Sequence, residues 1–322
     1  MCAPKKKAAR LLTDGEFRYM REEIFKKFQK ILGEDQVIYG EPMSRHTTFR
    51  IGGPADYFLT PAGAEEIRDV IAYCREVELP YFILGNGSNL LVSDEGFRGA
   101  VIQVDHRMQE ITVEGRAIRA QAGVLLSKAA AVARDHSLTG LEFASGIPGT
   151  LGGGVSMNAG AYGGELKDVL VRVRVVDRDL QIRDIEAGDL DLGYRHSRIQ
   201  DEEMVVTDVT LELMEGRMEE ISSRMNELRE ARTSKQPLEF PSAGSTFKRP
   251  EGYFAGKLIM DAGLKGFRVG DAQVSEKHCG FVINRGAATA KDVCTLIESV
   301  QEKIREKDGV LLEPEIRFLG FD

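Results

Sequence analysis

Cysteine and histidine are both scarce in this 322-residue chain. The four cysteines, Cys2, Cys74, Cys279 and Cys294, show no CxxC spacing, and the five histidines show no HExxH spacing. Closely paired cysteines are typical of redox motifs and zinc sites, so this pattern predicts reduced thiols and no metal centre. Cys74 and Cys294 each fall on an apolar helical stripe, which favours a packing role. We therefore expect a cytoplasmic protein.

Long apolar runs and an excess of positive charge are also absent. No run approaches the roughly 20 apolar residues that a membrane-spanning helix needs, so we expect no membrane insertion. The formal net charge of −8 argues against a nucleic-acid partner, although it allows a local basic pocket for an anionic small molecule. Lys5–Lys7 are not followed by the apolar stretch of a secretory signal, so we expect no such signal. We expect these residues to form a disordered tail.

Glycine, by contrast, is concentrated in one stretch. Eight of the 34 glycines fall between Gly146 and Gly164, within GLEFASGIPGTLGGGVSMNAGAYGG at 140–164. Glycine lets the backbone approach a ligand closely, and a nest of backbone N–H groups can bind phosphate without a lysine. The glycines alone leave open a mobile, solvated loop. The apolar and small residues between them favour burial, and with it a phosphate-bearing cofactor.

A second glycine cluster, LGNGSNLL at 84–91, follows a predicted strand at 81–84. Ligands often dock at the C-terminal ends of strands in layered α/β architectures. The cluster matches neither the G-x-G-x-x-G spacing nor the P-loop spacing. From the residues alone, a hairpin turn and a ligand loop are equally good interpretations. In a ligand loop, Asn86, Ser88 and Asn89 would contact phosphate oxygens.

Hydrophobic periodicity predicts helices alternating with short strands. The predicted helices cover 16–32, 64–78, 125–136, 218–228, 254–262 and 293–304. The predicted strands cover 57–59, 81–84, three short segments between 101 and 123, 169–176, 204–213, 280–284 and 310–320. In the strand at 169–176, alternation places Val169, Val171, Val173 and Val175 on one face. Two prolines, Pro237 and Pro241, predict a functional loop at 235–249.

Six motifs, in order from about Met43 to Gly320, resemble the UDP-N-acetylenolpyruvoylglucosamine reductase family, also called UDP-N-acetylmuramate dehydrogenases. They are TFRIGGPADY, LGNGSNLL, SGIPGTLGGGVSMNAGAYGGE, GYRHS, QPLEFPSAGSTFK and LEPEIRFLG. The resemblance implies an α+β chain with a vanillyl-alcohol-oxidase-type (PCMH-type) FAD-binding fold of two subdomains and a smaller α/β substrate-binding domain. This fold would explain why neither glycine cluster fits a Rossmann pattern.

The chain is long enough for two or three domains. With the implied fold, we expect a tail and helix at 1–35, FAD-binding subdomains at 36–105 and 106–217, and a substrate-binding domain at 218–310. Whether 311–322 return to the first subdomain stays open. Oligomeric state is also open, and a monomer is compatible with the sequence.

The resemblance implies non-covalent FAD and NADPH as co-substrate. The implied reaction reduces the enolpyruvyl group of a UDP-linked sugar to a D-lactyl ether, giving UDP-N-acetylmuramate for peptidoglycan, so the implied partner is a small nucleotide sugar. By match, the residues that bind the cofactor are Gly85, Asn86, Gly87, Ser88, Asn89, Ser145, Gly146, Pro148, Gly149, Thr150, Gly152 and Arg232.

Three catalytic residues are implied by match. Arg195 in GYRHS would clamp the substrate carboxylate, because a guanidinium forms bidentate, permanently charged contacts. Ser245 in SAGSTFK would donate the proton, and Glu315 would act as the catalytic acid on a strand close to Arg195. Glu313 has the same parity on the predicted strand, so parity cannot distinguish the two glutamates. Only the family motif favours Glu315.

The substrate contacts expected for the diphosphate, sugar or NADPH phosphates are Tyr162, Tyr194, Lys235, Lys257 and His278. Arg249 stands where many relatives have asparagine, so that family contact is not carried over. No insertion separates Tyr194 from Met204, which resembles the subclass that lacks an extra tyrosine-bearing lid. We therefore expect the third domain to close the site differently.

Two other functions compete with the reductase hypothesis. A related flavin oxidase would share the glycine loops and react with oxygen, but the motifs GSTFK and EPEIRF argue against it. A non-catalytic nucleotide-binding module would use the loops and leave Arg195, Ser245 and Glu315 idle.

Overall fold

The computed structural model describes residues 14–321, so Cys2 and the predicted tail at Lys5–Lys7 lie outside the described residues. All six predicted helices are present, and two short helices are added, at 151–156 and 198–201. The helices are α1 (Asp14–Leu32), α2 (Ala64–Glu76), α3 (Leu126–Asp135), α4 (Leu151–Ser156), α5 (Arg198–Asp201), α6 (Met218–Lys235), α7 (Ala255–Asp261) and α8 (Ala290–Asp308).

The first sheet contains β1 (Val37–Pro42), β2 (Pro54–Leu59), β3 (Tyr81–Leu84) and β5 (Phe97–Gln103), in the order β1-β2-β5-β3. β1 runs antiparallel to β2, whereas β5 runs parallel to β2 and β3. Helices α1 and α2 pack against this sheet, and the fully buried Phe28 lies edge-on to Tyr57 and Tyr73. As predicted, the glycine cluster LGNGSNLL leaves the C-terminal end of β3.

The second sheet is antiparallel and contains β6 (Ile111–Glu114), β7 (Ala117–Gln121), β11 (Leu170–Val176), β12 (Ile182–Glu186) and β13 (Val205–Glu212), in the order β12-β11-β13-β7-β6. The predicted alternation in β11 is wrong at Val171, whose side chain is 37% exposed while Val173 is buried. The pairing of β11 with β13 shifts register between Leu170 and Arg172 and again after Arg174. The first shift places an extra residue in β11, and so it changes the face on which the following residues of that strand lie.

The third sheet contains β15 (Ser242–Ser245), β16 (Arg268–Val269), β17 (Ala272–Val274) and β18 (Phe281–Asn284), in the order β15-β18-β17-β16. Helix α8 packs on it through Val293, Leu296 and Val300, all fully buried. Two small pairs complete the sheets: β8 (Leu138–Thr139) with β14 (Met214–Glu215), and β9 (Gly160–Ala161) with β10 (Gly164–Glu165).

The predicted strand at 310–320 is wrong over most of its length. Only β19 (Arg317–Leu319) is a strand, and it pairs in parallel with β4 (Leu90–Val92). Just before it, Pro314 forms a single bridge with Phe247. Pro314 lacks an N–H and the chain changes partner after it, so Glu315 lies between two pairings and not on a strand.

Two large apolar cores are present. One is formed by the first two sheets and the helices that pack on them, and the other lies between α7, α8 and the third sheet. The second core also includes Phe49, Leu91 and Ile316 from outside the third sheet's region. None of the helices in the described part of the chain combines the length and apolar character needed to cross a membrane.

Candidate active site

The loop after β3 is docked against the segment that precedes β2. Gly87 has a φ of +61°, and a Cβ there would lie 2.0 Å from the backbone oxygen of His46. The backbone N–H of Thr48 donates to the carbonyl of Gly87 at 3.1 Å. Both the left-handed backbone and the close approach require glycine at this position.

The two glycine clusters meet directly. Asn86 Nδ2 donates to the carbonyl oxygen of Pro148 at 2.7 Å, and a Cβ on Gly85 would lie 2.7 Å from Thr150 Oγ1. Thr150 caps α4, since its Oγ1 accepts from the backbone N–H of Gly153 at 3.4 Å. The predicted ligand loops are therefore neighbours in space.

Two glycines of the 140–164 stretch are required for packing. A Cβ on Gly152 would lie 2.8 Å from Ala122 Cβ, and one on Gly154 would lie 2.9 Å from Leu166 Cδ1. These two glycines let α4 pack tightly on its neighbours. Ser145 also has a local role, since its hydroxyl donates to the carbonyl of Glu142 at 2.7 Å.

A cavity of about 330 Å³ lies between the two loops. Nine of the twelve predicted cofactor residues line it, namely Gly85, Asn86, Gly87, Ser88, Asn89, Pro148, Gly149, Thr150 and Arg232. All three predicted catalytic residues, Arg195, Ser245 and Glu315, line the same cavity. Ser145, Gly146 and Gly152 do not, although Gly146 abuts Arg232, whose Cδ would lie 3.1 Å from a Cβ there.

The cavity wall fits an anionic dinucleotide. Burial lowers the pKa of Arg232, and the nearby Tyr162 opposes that shift to a smaller extent. Gln236 also lines the cavity, and its buried Oε1 has no hydrogen-bond partner in the described structure. A partly buried cation and an unused acceptor together suit a ligand with phosphates and donor groups. A larger cavity of about 760 Å³, lined in part by Leu84, Gly85 and Thr150, adjoins this one.

Arg195 and Glu315 form an ion pair, with 2.8 Å between Arg195 Nε and Glu315 Oε1. The side chain of Glu315 is 12% exposed, whereas that of Glu313 is 65% exposed and pairs with Lys248 Nζ at 3.2 Å. The structure therefore separates the two glutamates that sequence parity could not distinguish. It places Glu315, and not Glu313, in the cavity with Arg195.

Ser245 is brought to Glu315 by the adjacent backbone. The N–H of Glu315 donates to the carbonyl of Thr246 at 2.8 Å. Pairing of β15 with β18 is irregular between Ser242 and Ser245, where Gly244 has a φ of +78°. This bulge changes the direction of the last residues of β15, and such bulges are common beside active sites.

A second cavity, of about 480 Å³, shares Arg195, Ser245 and Glu315 with the first. Three predicted substrate contacts, Tyr194, Lys257 and His278, line it. Three further cations do so as well, namely Arg249, Lys265 and Lys277. Burial lowers the pKa of His278, and its Nδ1 accepts from the N–H of Gly280 at 3.1 Å.

Two predicted substrate residues lie apart from these cavities. Lys235 is the exposed last residue of α6, and Tyr162 is 44% exposed on the turn between β9 and β10. Arg249, which carried no predicted contact, places its guanidinium 4.0 Å from the ring centre of Phe254 at the rim of the second cavity.

Sequence reasoning missed Gln236 and Arg317, which also line the first cavity. Arg317 belongs to the quoted motif LEPEIRFLG, so the motif held the signal. Gln236 begins the quoted motif QPLEFPSAGSTFK, but only the fold shows that its Oε1 lacks a partner. Among residues 14–321, no group of three or more His, Cys, Asp or Glu side chains is arranged to hold a metal ion.

Known proteins resemble this chain over nearly its whole length. The family "UDP-N-acetylenolpyruvoylglucosamine reductase, C-terminal domain" matches residues 236–319, and the family "FAD binding domain" matches residues 55–186. The UDP-N-acetylenolpyruvoylglucosamine reductase of Caldanaerobacter subterraneus subsp. tengcongensis is 52% identical over 301 residues, covering 94% of this chain and 99% of that protein. The same enzyme of Lachnoclostridium phytofermentans is 52% identical over 305 residues, covering 94% and 98%.

A solved structure is similar as well. The crystal structure of UDP-N-acetylenolpyruvylglucosamine reductase from Thermus caldophilus matches with a TM-score of 0.76 and 39% sequence identity, covering 88% of this chain and 98% of that one. Together with the FAD binding domain at 55–186, this match confirms the predicted α+β FAD-binding fold.

Proposed function

Because the chain belongs to the UDP-N-acetylenolpyruvoylglucosamine reductase family, we propose that Arg195, Ser245 and Glu315 carry out that family's reaction. The protein is an FAD-containing oxidoreductase. Its reaction is the NADPH-dependent reduction of the enolpyruvyl group of UDP-N-acetylglucosamine enolpyruvate to the D-lactyl ether of UDP-N-acetylmuramate. The observation that carries the proposed roles is that all three residues line the cavity walled by the two glycine loops.

The loop at 85–89, the segment Pro148–Thr150 and Arg232 would hold FAD without a covalent bond. Their backbone N–H groups and the guanidinium suit its pyrophosphate. When bound, FAD supplies the hydride for the enolpyruvyl group after receiving one from NADPH. The buried Oε1 of Gln236 offers an acceptor for a hydroxyl or imide N–H of the cofactor.

Arg195 is suited to bind the substrate carboxylate. Glu315 engages its Nε, and its Nη2 donates to the carbonyl of Gly160 at 3.3 Å. Both contacts fix the plane of the guanidinium before substrate arrives. A fixed cation beside the carboxylate stabilises the negative charge that develops on the adjoining carbon, and it costs no reorganisation during the reaction.

Ser245 is suited to donate a proton to that carbon. A serine hydroxyl is a poor acid in water, so this role depends on position and on the basicity of the acceptor. Glu315, held between Arg195 and the backbone of Thr246, is suited to polarise the enolpyruvyl group.

The second cavity suits the nucleotide diphosphate of the substrate. Its cations, Arg249, Lys257, Lys265 and Lys277, surround a space that also contains Tyr194. We also propose FAD-binding subdomains at 36–105 and 106–217 and a substrate-binding domain at 218–310, because the three larger sheets fall in these three ranges. A cytoplasmic location is favoured by the free thiols of Cys74, Cys279 and Cys294.

The test separates the two halves of the reaction under anaerobic conditions. NADPH should bleach the flavin absorbance, and addition of the UDP-linked enolpyruvyl sugar should restore it. Ser245→Ala should slow only the return of colour, by about 10²–10⁴-fold, which is the usual contribution of a general acid. Ser242→Ala in the same strand is the matched control, because Ser242 lines neither cavity.

Three outcomes would count against this function. Normal return of colour with Ser245→Ala would remove Ser245 from the reaction. Colour that returns only with oxygen would indicate an oxidase. A wild-type protein that cannot be reconstituted with FAD would contradict the cofactor site itself.

A further inference from the structure

Arg195 lies at the tip of a tight hairpin. Gly193 and His196 exchange backbone hydrogen bonds of 3.1 Å and 3.4 Å, with Tyr194 and Arg195 between them. Arg195 has a φ of +54°, in the left-handed region that non-glycine residues rarely adopt. Such a conformation persists only where the surroundings impose it. The groups that hold the two ends of this hairpin therefore set the position of the guanidinium.

Asn158 holds the first end. Its side chain is 1% exposed, and its Nδ2 donates to the carbonyl of Gly193 at 3.0 Å and to Glu165 Oε2 at 2.6 Å. Its Oδ1 accepts from the backbone N–H of Lys167 at 3.0 Å. Both Nδ2 protons and the carbonyl oxygen are thus used. A buried amide satisfied in this way is fixed in orientation.

Ser197 holds the second end. It is fully buried, and its hydroxyl donates to the carbonyl of Ser156 at 2.7 Å. The same carbonyl accepts from Gln200 Nε2 at 2.5 Å, and that Nε2 also lies 3.3 Å from the carbonyl of Arg195. Both ends of the hairpin are therefore attached to the segment Ser156–Asn158, directly after α4.

We propose that Asn158 and Ser197 are positioning residues that fix Arg195 for the reduction of the enolpyruvyl group. This inference rests on the proposed role of Arg195 as the carboxylate clamp. Helix α4 starts beside Thr150, which lines the cofactor cavity, and ends at the carbonyl that holds the hairpin. One short helix thus sets the distance between the cofactor loop and Arg195. Neither Asn158 nor Ser197 lines the cavities that contain Arg195, so each acts through the hairpin.

The main variant is Asn158→Gly. Asn158 has a φ of +39°, which glycine adopts freely, so the change removes the three side-chain hydrogen bonds without adding backbone strain. Misplacing a reacting group by about 1 Å can cost about a hundredfold in rate. We expect Asn158→Gly to slow the return of flavin colour at saturating substrate by about ten- to a hundredfold. Flavin reduction by NADPH and flavin content should be unchanged.

Ser197→Ala is a milder second variant, because Gln200 still donates to Ser156. Its effect should have the same pattern and be smaller. Ser299→Ala is the matched control, since its hydroxyl makes a similar 2.8 Å bond to the carbonyl of Thr295 on the exposed surface of α8. As a readout independent of turnover, calorimetric binding of the carboxylate-bearing product UDP-N-acetylmuramate should weaken in Asn158→Gly and not in the control.

A double-mutant cycle with Arg195→Lys distinguishes positioning from general structural damage. If Asn158 acts through Arg195, the double variant should react no more slowly than Arg195→Lys alone. Multiplicative effects, or equal slowing of both half-reactions, would overturn the inference and leave the role of Arg195 intact. If Arg195→Lys itself has a normal second half-reaction, the proposed role of Arg195 is wrong and the inference falls with it.

Discussion

Gly87→Ala tests the glycine loop after β3. The left-handed φ of +61° costs a Cβ-bearing residue about 1–2 kcal/mol. The new Cβ would also lie 2.0 Å from the backbone oxygen of His46, and relieving that overlap costs about 1–3 kcal/mol more. The loop can relax only by moving away from the segment at 46–48. We therefore expect the overlap alone to weaken FAD binding on the order of tenfold to a hundredfold, at 1.4 kcal/mol for each tenfold change.

Gly115→Ala is the matched control. Gly115 has the same φ of +61° in the turn between β6 and β7, and a Cβ there meets nothing within 4 Å. It therefore carries the backbone strain without the overlap. Titration of each apoprotein with FAD, followed by flavin fluorescence, should show weakened binding only for Gly87→Ala, and thermal unfolding of the apoproteins checks that both fold. Equal FAD affinity in the two variants would refute the reasoning that close approach fixes the loop.

Two further predictions concern the region that contains the third sheet. Asp94 accepts from the backbone N–H groups of Ala290 and Lys291 at 2.8 and 3.1 Å. Asp94→Ala should therefore raise hydrogen exchange at the start of α8 and lower the local stability there by about 1–2 kcal/mol. The control Glu95→Ala should leave hydrogen exchange unchanged. Burial keeps the pKa of His278 below 6.5, so the unfolded chain takes up that proton first as pH falls. The free energy of unfolding should thus decrease below about pH 6.5. In urea titrations, the free energy of unfolding of His278→Gln should depend less on pH than that of the wild type. The same pH dependence in both proteins would contradict this.

Periodicity predicted the six longer helices and several strands, but it missed others, among them β1, β12 and β15. The strand β11 shows where that reasoning stops. Its valines alternate in sequence, but its two shifts of register depend on pairing with β13, more than 30 residues away in sequence. No local pattern encodes such a shift. Val171 is therefore exposed although Val173 and Val175 in the same pattern are buried.

Sequence motifs predicted part of the candidate site, but they could not predict contacts between residues that lie far apart in the sequence. The motif favoured Glu315 over Glu313, whereas the strand parity used to compare them did not apply, because Pro314 interrupts the strand. Gly152 and Gly154 were predicted as part of a ligand loop, but their lack of a side chain serves contacts with Ala122 and Leu166. Those two partners could be identified only from the fold.

Glu315 is the point at which the three sheet regions meet. Arg195 from the second region contacts its carboxylate, Asn89 from the loop after β3 donates to its carbonyl at 3.1 Å, and the carbonyl of Thr246 from the third region accepts its N–H. Residues proposed to bind the cofactor and residues proposed to bind the substrate are thus attached to one glutamate through different atoms. A shift of any one region changes the position of the carboxylate relative to the other two. The arrangement of the site therefore depends on the docking of all three regions, although Arg195, Ser245 and Glu315 lie far apart in the sequence.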